Sequence, residues 1–208
     1  MIRGTRRWIG IGLLLTLSGC GSFPRIIVLH DPLAPQEHLE LGIRYESQRD
    51  WAAAEKEYRA ALDPDPRFPP ALANLGNLYA QQGQYDTARD YYRRALRYDP
   101  NHPMANNNLA MIYVTQGIHL AEAGEMIDRA LAADPPHRAF YLDTRALLLL
   151  RLGQSDAARQ AAIEAETAPG SDSTAFREQH AATRFVIDAA AGSGLKPDPA
   201  ATNRTGGP

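Results

Sequence analysis

Apolar and small residues recur at helical spacing through most of the chain, and the pattern breaks at regular intervals. Between Pro69 and Pro100, Leu72, Leu75, Gly76 and Tyr79 fall on one helical face. A break follows at Gln82-Gly83, and Tyr85, Ala88, Tyr92, Ala95 and Leu96 then mark a second face at the same spacing. Asp99-Pro100 stops this second helix, because proline lacks the backbone N–H and biases the preceding residue away from helix. The stretch predicts two helices joined by a short turn.

The unit recurs. Upstream, Leu41, Gly42, Tyr45, Ala54, Tyr58, Ala61 and Pro66 precede Leu75, Gly76, Tyr79, Ala88, Tyr92, Ala95 and Pro100 by 34 residues each. Downstream, Leu109, Ala110 and Tyr113 keep that offset, and after Gly117 it becomes 35 for Ala123, Ile127, Ala130 and Pro135. One residue has been added at Ile118-His119, where a turn absorbs it at little cost. A fourth unit over 138–170 keeps Ala146, Leu149, Gly153, Ala158, Ala162 and Ala165, loses the tyrosines, and has Gly170 in place of proline. Residues 171–191 predict a further helix, capped by Asp172 or Ser173. Phe176, Phe185, Val186 and Ala189 are expected to cover the fourth unit. Residues 192–208 are Gly, Pro, Ser, Thr and Asn with almost nothing apolar, and a disordered tail is expected there.

A helix–turn–helix of about 34 residues with Leu75-Gly76, Tyr79, Ala88, Tyr92, Ala95 and Pro100 at these places resembles the tetratricopeptide repeat. The resemblance implies an all-α, right-handed α-solenoid with repeats at 35–68, 69–102, 103–137 and 138–170 and a capping helix at 171–191. Gly42, Gly76, Ala110 and Ala146 let the two helices of each repeat approach closely, aided by Ala54, Ala88, Ala123 and Ala158. A single repeat cannot bury its apolar face alone, and four with a cap satisfy the need for about three or more.

The N-terminus is different in kind. Arg3, Arg6 and Arg7 precede an apolar run from Trp8 to Leu17, too short to span a bilayer core of roughly 30 Å. It reads as a signal peptide over 1–19. Leu17-Ser18-Gly19-Cys20 resembles the bacterial lipobox, which implies cleavage before Cys20 and acylation of its thiol. Cys20 is the chain's single cysteine, so an intramolecular disulfide is excluded. More than one acyl chain anchors stably, since each buried methylene contributes roughly 0.8 kcal/mol. Gly21-Ser22 lacks the aspartate that marks inner-membrane retention in such lipoproteins, which points to the outer membrane, facing the periplasm. Residues 20–34 read as the acylated cysteine and a proline-containing tether. Within it, Ile26 to Leu29 either packs on the first helix pair or is offered to a partner as a strand or plug.

Charge excludes little beyond nucleic acid. Removing residues 1–19 takes away three arginines and no acid, so the net charge of −2 becomes −5, and no strongly basic patch remains. No catalytic set is recognisable. The histidines at His30, His38, His102, His119, His137 and His180 form no H-x-x-x-H pair, and no serine sits in G-x-S-x-G. His102 and His137 read as solvated turn residues, and Arg89-Asp90 and Arg93-Arg94 as a solvated helix face. No cofactor, metal or small-molecule substrate is expected, and the chain reads as a non-enzyme.

In the tetratricopeptide family the first helices of successive repeats line a concave groove. The resemblance places Asn74, Asn77, Gln81, Asn107, Asn108, Met111, Asp143 and Arg151 there, with Thr144 and Leu147 beside them. An asparagine amide offers donors and an acceptor and can hold the backbone of an extended peptide without reading its side chains. Ala73, Phe140 and Leu39 stand where cations would clamp a terminal carboxylate, so that mode is not expected. Lipobox and repeats together imply a lipid-anchored periplasmic adaptor for another envelope protein, with pilus or secretion-channel assembly first. A self-associating structural or polysaccharide-export accessory and a cell-wall hydrolase adaptor are the alternatives.

Overall fold

The computed structural model describes residues 33–193. The signal peptide, Cys20, the tether with Ile26 to Leu29, and the tail beyond Ser193 lie outside the described residues. From Ala34 onward the polypeptide is a stack of antiparallel helix pairs: α1 (Pro35–Ser47) with α2 (Trp51–Leu62), α3 (Pro69–Gln81) with α4 (Tyr85–Tyr98), α5 (Pro103–Gln116) with α6 (Leu120–Ala133), and α7 (Arg138–Arg151) with α8 (Ser155–Thr167). A final helix, α9 (Thr174–Ser193), packs on α7 and α8. No strand occurs among the described residues. This is the expected α-solenoid. Its first helices, α1, α3, α5 and α7, touch in succession, and each second helix meets the first helix of the next pair.

Side-chain size sets the spacing within each pair. A Cβ on Gly42 would lie 2.3 Å from the Tyr58 ring, and one on Gly76 would lie 2.5 Å from the Tyr92 ring. Both tyrosines are fully buried, and their rings press directly on the glycine backbone of the partner helix. In the third pair the equivalent positions are Ala110 and Ile127, and in the fourth Ala146 and Ala162, all buried. Glycine stands opposite tyrosine, and alanine opposite a smaller side chain, as close packing requires.

Tyrosine and arginine join consecutive pairs. The Arg59 guanidinium donates to the Tyr79 hydroxyl at 2.8 Å, and Arg93 donates to the Tyr113 hydroxyl at 2.8 Å. These bonds recur one repeat apart. Arg93 and Arg94 are exposed, as a solvated face requires, yet Arg93 also bridges two repeats and Arg94 lies over the Tyr91 ring at 5.3 Å. A charged guanidinium over an aromatic face is attracted by the ring quadrupole.

The turns inside the pairs share a left-handed residue. Gly83, Gly117 and Gly153 have φ of 75°, 69° and 77°, and Arg49 takes the corresponding place in the first pair with φ 61°. The residue added in the third turn puts His119 in the same region, at φ 49°. An L-residue there crowds its Cβ against the backbone, which costs roughly 1–2 kcal/mol. Arg49 is exposed. Arg49→Gly is expected to raise stability by about 0.5–1 kcal/mol after the greater freedom of glycine in the unfolded chain is counted. A higher urea midpoint at unchanged slope is the check, and an unchanged midpoint would show that Arg49 is not strained.

The last helix departs from the expected register. Ser173 caps it, its Oγ accepting from the Phe176 amide at 3.1 Å. Phe176, His180, Thr183 and Ile187 form its inner face. Phe185, 75% exposed, and the exposed Val186 and Ala189 point away from the fourth repeat. Ile187 fills the space over Ala146, Ala158, Ala161 and Ala162, where small side chains leave room. The helix also continues to Ser193, two residues into the stretch read as tail.

Candidate functional site

Two adjoining cavities lie along the first helices. The larger, about 670 Å³, runs from α3 across α5 to α7 and α9. Its floor is apolar, with Ala80, Tyr85, Met111, Ile112 and Phe140, and Asn77, Gln81 and Asn108 supply polar edges. The smaller, about 340 Å³, lies between α5, α7 and α9 and includes Met104, Asn107, Asp134, Tyr141 and Gln179. Asn108 and Phe140 belong to both walls.

The asparagines are ordered by their own hydrogen bonds. Asn107 Nδ2 donates to Asn108 Oδ1 at 3.1 Å, and Asn108 Nδ2 donates to Asn77 Oδ1 at 2.8 Å. The Tyr92 hydroxyl donates to the same Asn77 oxygen at 2.7 Å, and Asn77 Nδ2 donates to Met104 Sδ at 2.8 Å. Burial holds the Tyr92 phenol well above its ordinary range, so it keeps its proton and donates. The Asn77 oxygen is thus filled from both sides. The Asn77 amide nitrogen, with one bond to Met104, has a second N–H to offer a ligand.

Of the residues read as groove positions, Asn77, Gln81, Asn108 and Met111 meet in the larger cavity and Asn107 joins Asn108 in the smaller. Three do not face either cavity. Asn74 turns its amide back to the Pro70 carbonyl at 2.9 Å, one helical turn away. Arg151 donates to the Val114 and Thr115 carbonyls at 3.1 and 3.0 Å, closing the exposed C-terminal end of α5. Asp143 is 0% exposed. It accepts from His180 Nδ1 at 2.8 Å, the Thr183 hydroxyl at 2.7 Å and Gln179 Nε2 at 3.1 Å, all on α9. Thr144 is likewise buried, its hydroxyl on the Phe140 carbonyl. The reason is α9: it covers the part of α7 that would be open groove if the stack ended there.

Sequence reasoning missed Tyr85, 48% exposed, and Met104, 37% exposed, as apolar groove walls. Tyr85 opens a second helix and was legible only as a packing aromatic. His102 was misread as solvated. It is the N-cap of α5, its Nδ1 accepting from the Ala105 amide at 3.3 Å, and burial holds its ring below the ordinary histidine range. A neutral ring keeps Nδ1 free of a proton and able to accept. No cluster of three or more His, Cys, Asp or Glu suited to a metal occurs among the described residues. None of the described helices is long and apolar enough to cross a membrane.

Known proteins match this arrangement. A tetratricopeptide repeat family model fits residues 39–96 and again 73–138. Among solved structures, the chain superposes on PilF of Pseudomonas aeruginosa with a TM-score of 0.61 at 19% identity, over 76% of this chain and 70% of that one. It superposes on the widely conserved type IV pilus biogenesis factor PilW with a TM-score of 0.58 at 23% identity, over 64% and 60%. A thermophilic tetratricopeptide repeat protein of Thermus thermophilus gives 0.61 at 21% identity, over 74% and 82%. No curated protein matches in sequence. At these identities the likeness is one of fold.

Proposed function

Residues 39–138 are tetratricopeptide repeats, and from that premise we propose that the chain is a non-enzymatic adaptor that holds an extended segment of another protein in the groove of α3, α5 and α7. The observation behind this reading is the larger cavity. It joins an uncharged apolar floor to amide edges from Asn77 and Gln81 that suit the carbonyls and amides of a peptide. Such a lining accepts an apolar side chain and its backbone, and it offers no cation for a terminal carboxylate.

The lipobox ending at Cys20 supports a lipid-anchored protein of the bacterial envelope, held in the outer membrane and facing the periplasm. Two of the similar folds belong to proteins whose names concern pili, which favours pilus assembly as the process served. Substituting Met111, half-buried on the cavity floor, places this reading under test. Met111→Glu introduces a charge where the lining has none, and is expected to weaken partner capture from envelopes at least tenfold with little change in stability. Undiminished capture of the same protein by the variant would move the contact out of the groove.

A further inference from the structure

The smaller cavity differs from the larger in one respect: its polar groups are acceptors in excess. Asp134 lies in its wall, and both hydrogen bonds that it accepts there, from the Tyr141 hydroxyl at 2.6 Å and the His137 ring at 2.8 Å, end on Oδ2. Asn107 is 7% exposed, and its Oδ1 is buried with no hydrogen-bond partner among the described residues. The direction of the asparagine chain explains this. Met104 sulfur can only accept, so Asn77 must donate to it; Asn77 oxygen then takes Asn108 Nδ2, and Asn108 oxygen takes Asn107 Nδ2. Turning the Asn107 amide over would set oxygen against oxygen. A buried acceptor left without a donor is unfavourable, so the fold retains a strained group where the groove continues. Neither cavity is lined by lysine or arginine. His102, in the same wall, is held neutral by burial.

We propose that the smaller cavity is a second subsite of the groove and takes the basic side chain of an extended partner segment, a lysine or arginine two residues from the apolar side chain held in the larger cavity. This rests on the peptide-groove reading above and names its ligand more closely. The two cavities share Asn108 and Phe140, so one segment spans both. In an extended peptide, residues i and i+2 point to the same side, about 6.6–6.8 Å apart. The cation pairs with Asp134 Oδ1, and a small shift of the cavity wall opens Asn107 Oδ1 to one of its N–H groups while Nδ2 stays on Asn108.

The test titrates the full chain, in detergent, with two end-capped peptides: acetyl-Ser-Phe-Ser-Lys-Ser-Phe-Ser-amide, and the same peptide with glutamate for lysine. The lysine peptide is expected to bind about tenfold or more tightly, and Asp134→Asn is expected to remove that preference. Asn107→Leu separates a ligand role from a structural one. It removes the orphaned acceptor, and the Asn108 oxygen that loses its donor is half-buried at the cavity wall and within reach of water, so the melting temperature is expected to hold or rise while affinity for the lysine peptide falls about fivefold or more. Equal binding of the two peptides, or an Asn107→Leu variant that loses stability and keeps affinity, would overturn the basic subsite and leave the apolar groove standing. Failure of both peptides to bind would overturn the groove reading with it.

Discussion

Gly76→Ala is expected to destabilise the fold by about 3 kcal/mol, the upper range for forcing volume into a packed interior. The added methyl would sit 2.5 Å from the Tyr92 ring, well inside van der Waals contact. Tyr92 is held where it is: it is 1% exposed, and its hydroxyl is tied to Asn77. Either the ring leaves its rotamer or α3 and α4 separate, and separation opens the inter-repeat seam. The third pair shows how the same fold accommodates a methyl, with Ala110 where Gly76 stands and Ile127 where Tyr92 stands. The double change Gly76→Ala/Tyr92→Ile is therefore expected to be less destabilised than the sum of its single changes. Urea unfolding of the four proteins closes this cycle. Additive penalties would show that the glycine is not there for the ring.

The second large effect belongs to the junction of α9 with the stack. His180 lies between two carboxylates, Asp143 at 2.8 Å from Nδ1 and Glu166 at 3.3 Å from Nε2, with the Phe176 ring stacked on it at 5.0 Å. Arg184 reaches the same Glu166 oxygen at 2.8 Å. Replacing His180 by Leu leaves the fully buried Asp143 with only Thr183 and Gln179 as donors. Taking a donor from a buried carboxylate costs about 3 kcal/mol, the upper range for a buried polar group left short of a partner. His180→Leu is expected to show that loss, with hydrogen exchange rising first in α9. The paired change Asp143→Leu/His180→Leu removes both hydrogen-bond partners and is expected to recover most of it. If the double variant is no better than the single one, the cluster is not acting as a coupled pair.

The repeat pattern was legible because it rests on residues whose reason is local and steric. Gly42, Gly76, Tyr58 and Tyr92 recur at a fixed interval, and the backbone contact they make is the same in the first two repeats. The groove was legible only where a repeat has another repeat on both sides. Asn77 and Asn108 lie in the interior of the stack and line the larger cavity. Asp143 occupies a comparable site by spacing, but α9 lies over it. Nothing in the order of residues around Asp143 records that cover. The face of α9 was misjudged for a related reason. Phe185 and Val186 are the more apolar choice, yet the inner face is Phe176, His180, Thr183 and Ile187, because the polar members satisfy Asp143. A buried carboxylate outweighs the burial of one phenylalanine when its partners must come from that helix. Hydropathy alone carries no sign of such pairing.

The central claim is that the groove of α3, α5 and α7 holds an extended segment of a partner protein. A photoreactive amino acid at position 111, on the cavity floor, and at position 97, exposed on α4, tests it in intact cells. The account predicts one dominant protein crosslinked from position 111, through a single short segment mapped by mass spectrometry, and lost when Asn108→Ala is added. A crosslink to that protein from position 97 alone, or a contact from position 111 spread over a folded surface, would contradict it.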